Sequence, residues 1–217
     1  KETLAAIEAA QNAFPGWAAV PAPERGRYVA RVAALARERQ DELARVMTRE
    51  EGKLLKESLG EIKKGNSVLE YYGGAGFRIY GKTIPSELGE CFTCTIRRPL
   101  GSVGIISPWN FPWAIPCWKI APALVAGNTV VFKPAELTPG TATLLVRLFA
   151  EAGLPPGVLN MVVGPGSKVG ETIIRHRDLK AVSFTGSNEV GRRVIEEAAK
   201  THKKVQCEMG GKNALVL

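Results

Sequence analysis

From Gly101 to the C-terminus, short apolar runs rich in β-branched residues alternate with stretches of helical period, and that alternation admits few folds. The spacing predicts strands over 103–107, 129–132, 158–163, 181–184, 205–208 and 214–217. Helices are predicted through 119–125, over 141–150, near 169–174 and over 188–199. Apolar strands separated by amphipathic helices make a parallel sheet covered on both faces. The expected class is therefore α/β, a doubly wound and mostly parallel sheet. Ligands of such sheets bind beyond the carboxyl ends of the strands, so the residues that follow each strand carry the functional interest.

Upstream the pattern is helical. After Pro21-Ala22-Pro23, residues Tyr28, Val32, Leu35, Leu43 and Val46 fall on one stripe of a long packing helix. A second helical segment, 56–72, ends at Gly73-Gly74, and from 77 to 98 the period becomes strand-like, with Pro85 and Gly89 as turns. The expected organisation is a helical part over 1–78, an inserted β-hairpin over 79–99, and the sheet domain over 100–217.

With 45% hydrophobic and 23% charged residues, 217 residues can bury a sizeable core. No apolar run reaches the roughly 18 to 20 residues of a membrane span. The net charge of +8 draws on Arg25, Arg27, Arg31, Arg37, Arg39 and Arg45, but these interleave with Glu24, Glu38, Asp41 and Glu42. That mixture fits a solvated helix face, not a nucleic-acid surface. Four cysteines are too few for a disulfide scaffold, so a reducing cytoplasm is expected. Cys91-Phe-Thr-Cys94 has no second pair and only the distant His176 and His202 downstream, so no metal site is expected. The N-terminus lacks a secretory signal, and a start at Lys1 without Met points to a trimmed chain.

Four strand ends carry chemistry. Ser107-Pro108-Trp109-Asn110-Phe111-Pro112 sets two prolines around Trp-Asn, which forbids regular helix and holds a rigid turn. There Asn110 serves equally as a turn former or as an amide donor to a developing oxyanion. In Phe132-Lys133-Pro134-Ala135-Glu136 a carboxylate at the sheet edge can accept from ribose hydroxyls, or simply form an exposed ion pair or start a helix. Gly164-Pro165-Gly166 with Gly170 misses the GxGxxG spacing by one residue and is weak by itself. Phe184-Thr185-Gly186-Ser187 leads from a strand into a helix, whose N–H groups and dipole can hold a pyrophosphate with the Ser187 hydroxyl. It is no P-loop, because Arg192 and Arg193 follow Gly191. Finally, Glu208 stands at a strand end before Gly210-Gly211, while Cys207 alternates with it and is expected to face the core.

PWNFP, FKPAE, SFTGS and EMGGK, in this order and each at a strand end, resemble the aldehyde dehydrogenase superfamily over essentially the whole chain. From Arg97 through Asn213 the chain is similar to the semialdehyde members, such as those oxidising 2-oxoglutarate or succinate semialdehyde. The resemblance implies a Rossmann-like NAD-binding domain, with NADP as the other admissible cofactor. It implies that Asn110 stabilises the oxyanion, that backbone around Ser107 and Trp109 meets the cofactor, and that Lys133 and Glu136 hold the adenosine ribose. Gly166 would lie beside the adenine, Gly186 and Ser187 at the pyrophosphate, Phe184 and Val190 along the pocket, and Met209 at the nicotinamide amide. Glu208 would be the general base.

It further implies a small aldehyde substrate, oxidation through a cysteine thioester, and a homo-oligomer, dimer or tetramer, built with the hairpin region. The family's nucleophilic cysteine and catalytic domain lie beyond the EMGGK motif, so this chain by itself is expected to be inactive. The alternative is a stand-alone dinucleotide-binding module without catalysis.

Overall fold

The computed structural model describes residues 1–216. Four helices come first: α1 (Glu2–Ala19), α2 (Ala22–Glu38), α3 (Gln40–Glu51) and α4 (Leu55–Gly73). Pro23 sits in the first turn of α2, where its missing N–H would have had no helical partner. The single long helix expected after Pro23 is instead two, broken at Arg39, whose φ of −108° and ψ of 17° leave the helical region. The break turns α3 so that Leu43, Ala44 and Met47 face the core. The buried stripe of α2 is Val29, Val32, Ala33 and Ala36, whereas Tyr28, Leu35 and Val46 are only half-buried. Small residues are selected because α2 lies close against α4. A Cβ on Gly26 would stand 2.3 Å from the carbonyl oxygen of Gly73.

A 3-10 turn over Ala75–Arg78 takes up the residues where strand had been expected to begin. It leads into the short antiparallel ribbon of β1 (Thr83–Ile84) and β2 (Thr93–Cys94), with Thr83 opposite Cys94. Tyr80, Ile84, Leu88, Phe92 and Ile96 of this region are all exposed.

The rest alternates as β3 (Ser102–Ile106), α5 (Ala114–Val125), β4 (Thr129–Lys133), α6 (Pro139–Glu151), β5 (Leu159–Met161), α7 (Glu171–Arg175), β6 (Leu179–Gly186), α8 (Asn188–Ala199) and β7 (Lys204–Met209). The five strands from β3 onward are parallel, in the order β5-β4-β3-β6-β7. Side chains of β4 alternate between two cores: Val130 and Phe132 join Trp113 and Phe149, while Val131 joins Ile173 and Phe184. Residues 214–216, expected as a strand, are exposed and form none, and Leu217 lies outside the described residues. Among the described residues no helix is long and apolar enough to cross a membrane.

The chain runs from β3 outward to β4 and β5, then returns to place β6 and β7 on the other side. A switch point of this kind opens a crevice between the carboxyl ends of β3 and β6. The α2–α4 contact is a direct test of the helical layer beneath it. Gly26→Ala should cost about 1 to 3 kcal/mol, because the added methyl meets backbone, not a yielding side chain. The urea midpoint should fall with an unchanged slope, and an unaltered midpoint would show that α2 and α4 can separate freely.

Candidate functional site

Parallel pairing sets Lys133, Ile106, Phe184 and Cys207 side by side across four strands. Residues of that row and just past it form a recess of about 800 Å³, lined at the end of β3 by Ser107, Trp109 and Asn110, at the end of β4 by Lys133 and Glu136, from β6 and α8 by Phe184, Gly186, Ser187 and Val190, and from β7 by Glu208 and Met209. Every expected site residue except Gly166 therefore meets in one recess. Gly166 reaches it indirectly, donating its N–H to Glu136 Oε1 at 3.0 Å.

That bond gives Glu136 a partner at the end of β4. The carboxylate starts no helix, since α6 opens later at Pro139, and it is not the partner of Lys133. Lys133 is buried, with its Nζ donating to the carbonyl of Pro134 at 3.0 Å. Burial pulls its pKa down, against the opposing pull of Glu136. Gly166 opens a single π-helical turn, and its N–H pins the imperfect glycine motif to the FKPAE turn.

On the other side of the crevice Ser187 caps α8, its Oγ accepting the Val190 N–H at 3.3 Å, so the start of the helix, with Ser187 and Val190, borders the recess. Met209 of β7 crosses behind this turn. A Cβ on Gly191 would lie 2.1 Å from its sulfur, so the helix passes close over the Met209 side chain there. Ser107 Oγ and Thr185 Oγ1 are buried beside the recess with no hydrogen-bond partner in the protein. Asn110 and Trp109 are exposed at its rim, and Glu208 is exposed on the edge strand.

One participant was missed in the sequence. Lys119 of α5 is buried, and its Nζ donates to Ser183 Oγ at 2.8 Å, Gln206 Oε1 at 3.0 Å and the Phe184 carbonyl at 3.5 Å. It borders a second hollow that it shares with Glu208. Desolvation brings its pKa down to about 8, with Cys207 and Glu208 acting in the opposite sense. A lysine inside the otherwise apolar run of 113–125 was the available signal. Cys207 itself is half-buried against the second core, and desolvation raises its thiol pKa. Cys117 is fully buried, Cys91 and Cys94 are exposed on the hairpin, and among the described residues no cysteine lines the recess.

A parallel sheet with helix amides, a lysine and an exposed carboxylate at its switch point defines a nucleotide-binding type of α/β domain, here with an amide and a second carboxylate added. The chain belongs to the aldehyde dehydrogenase family, whose model matches residues 1–217. It is 48% identical over 212 residues to an alpha-ketoglutaric semialdehyde dehydrogenase of Bacillus subtilis, covering 98% of this chain and 43% of that protein. The crystal structure of an NADP-dependent enzyme of E. coli superposes with a TM-score of 0.95 at 45% identity, over 97% of this chain and 44% of that one. Betaine aldehyde dehydrogenase from Staphylococcus aureus, in complex with NAD+, gives a TM-score of 0.95 at 36% identity, over 97% of this chain and 42% of its own. The chain thus spans less than half the length of the relatives it matches.

Lys119 supplies a pH test. Its folded-state pKa is depressed, so between about pH 8 and the ordinary lysine value the unfolded chain binds the extra proton and stability rises with pH. Lys119→Met should abolish that rise. Urea midpoints of both proteins at pH 7.5 and roughly pH 10 are the measurement, and a difference between them that does not change with pH would mean the buried ammonium is not penalised.

Proposed function

We propose that this chain is the cofactor-binding part of an NAD-dependent dehydrogenase that oxidises an aldehyde to a carboxylic acid through a cysteine thioester. The observation that carries the reading is the convergence of Asn110 and Glu208, from opposite sides of the switch point, on the recess that also holds Lys133, Glu136 and the start of α8. The residues fit a dinucleotide: two orphaned hydroxyls, Ser107 Oγ and Thr185 Oγ1, await polar partners. The α8 amides suit a diphosphate, and Lys133 with Glu136 suit ribose hydroxyls. Gly166, Phe184, Val190 and Met209 are assigned to the apolar and backbone contacts, and Ser107 and Trp109 to backbone contact near the nicotinamide. When bound, the cofactor supplies the hydride acceptor.

The chain's own residues do the remaining work proposed for them. Asn110 donates its side-chain N–H to the aldehyde oxygen as negative charge develops there. Glu208 takes a proton from the water that hydrolyses the thioester. The thiol is assigned to the part of the relatives' length that this chain does not span, because none lines the recess. For substrate, an aldehyde that also bears a carboxylate is favoured by the similarity to the Bacillus subtilis semialdehyde dehydrogenase. The hairpin with its exposed apolar side chains is assigned to oligomer contacts.

Two outcomes test this. NAD should bind more tightly than NADP, since Glu136 repels a 2′-phosphate, and Glu136→Gln should narrow the preference roughly tenfold, the effect of about 1.4 kcal/mol. Titration of both cofactors decides it, and tighter NADP binding by the unmodified enzyme would sink the assignment of Glu136. In the enzyme at its natural length, Glu208→Gln should retain a burst of NADH from one turnover, while the steady rate drops by roughly two to four powers of ten. Near-normal steady turnover would remove Glu208 from the role of base.

A further inference from the structure

We propose that Lys53 and Glu61 are positioning residues for Asn110, an inference that rests on the oxyanion role given to Asn110 above. Asn110 stands on the turn between β3 and α5, in neither helix nor strand, and is exposed. An amide presented from such a turn is preset only if the main chain under it is held. What holds it comes from the α3–α4 connection and from α4 itself. Lys53 Nζ donates to the carbonyl of Asn110 at 2.7 Å and to Glu61 Oε2 at 2.6 Å. The other oxygen of Glu61 accepts the N–H of Trp113 at 2.9 Å and of Ala114 at 3.1 Å.

One ion pair therefore grips the turn on both sides of its bend, by the carbonyl of residue 110 and the amides of residues 113 and 114. Between those points the ammonium lies 4.4 Å from the centre of the Phe111 ring. The side chain of Glu61 is 2% exposed and that of Lys53 14%, so this is no solvated surface pair. A second carboxylate, Glu51, approaches Lys53 to 3.3 Å, and burial pushes its pKa up. Burying charges is a poor route to stability alone. Here one donor of the ammonium and one oxygen of the carboxylate are engaged by the turn that carries Asn110, and the pair is closed by the bond between the two side chains.

The test uses the enzyme at its natural length. Lys53→Met combined with Glu61→Gln removes both charges together, and the glutamine oxygen can still accept the two α5 amides. Single-turnover NADH formation should fall about 10- to 100-fold, while NAD affinity stays unchanged and amide hydrogen exchange of residues 109–114 accelerates. Asn110→Ala should slow the same step, and adding the pair substitution to it should slow it little further, because both act through one amide. Additive losses would overturn the positioning role and leave the role of Asn110 intact. A normal single-turnover rate in Asn110→Ala would overturn both. A pair variant that is merely less stable, with normal single-turnover rate, would reduce Lys53 and Glu61 to fold stabilisers and overturn the proposal. If the pair variant does not fold, Lys53→Arg, which keeps the charge and moves the donor, should show an intermediate rate, and a normal rate there overturns the proposal.

Discussion

The recess exists because β3 is paired on both edges, to β4 through Ile106 opposite Lys133 and to β6 through Ile106 opposite Phe184. All of β3 is buried, so neither face tolerates a change of register. Side chains alternate along a strand, and a slip of one residue between β3 and β6 would turn Phe184 out of the second core and Thr185 into it. The apolar filling of the sheet therefore also sets which residues emerge at its mouth. Ser107, Thr185 and Glu208 line the recess because Ile106, Phe184 and Cys207 are held in one row beneath them.

Buried charge is arranged around the same end of the sheet. Lys119 ties α5 to β6 and β7, Lys133 braces the turn after β4, and the Lys53–Glu61 pair braces the turn after β3. Desolvation lowers the pKa of both Lys119 and Lys133, so each hydrogen-bonded ammonium still carries a burial cost. Arg25 shows what a purely structural buried cation looks like in this fold. Its Nε donates to the carbonyl of Val125 at the last turn of α5 and its Nη1 to Val20, closing a helix end at the opposite side of the molecule from the recess.

Much of this was legible in the sequence, for reasons that differ by element. The central strands β3 and β4 announced themselves because both-face burial demands unbroken apolar runs, and the motifs were legible because a strand end fixes where the next side chains can go. The break at Arg39 was not, since nothing local forbids helix there. The close packing of α2 against α4 at Gly26, Ala30 and Gly73 was equally hidden, because a count of large apolar residues passes over it. Glu136 left three readings open because its partner, the Gly166 N–H, lies thirty residues away. Lys53, Glu61 and Lys119 were illegible for the same reason: each acquires its meaning only from residues brought close by the fold. Residues 214–216 have strand-like composition, but a strand needs a neighbour to pair with, and the described residues provide none.

The N-terminal helices do more than cover a face of the sheet. Neither α5 nor α6 has a side-chain cap of its own, and each begins after a turn that contributes to the recess. Both are capped from afar. Glu61 of α4 accepts the Trp113 and Ala114 amides at the start of α5, and Glu50 of α3 accepts those of Gly140 and Thr141 in the first turn of α6 at 2.5 and 2.8 Å. A carboxylate at a helix N-terminus satisfies unbonded amides and complements the dipole. Supplying it from α3 and α4 relieves the turns after β3 and β4 of that duty. Their own polar residues, Asn110 on one and Glu136 on the other, are then free to face the recess, which a turn that had to cap its own helix could not allow.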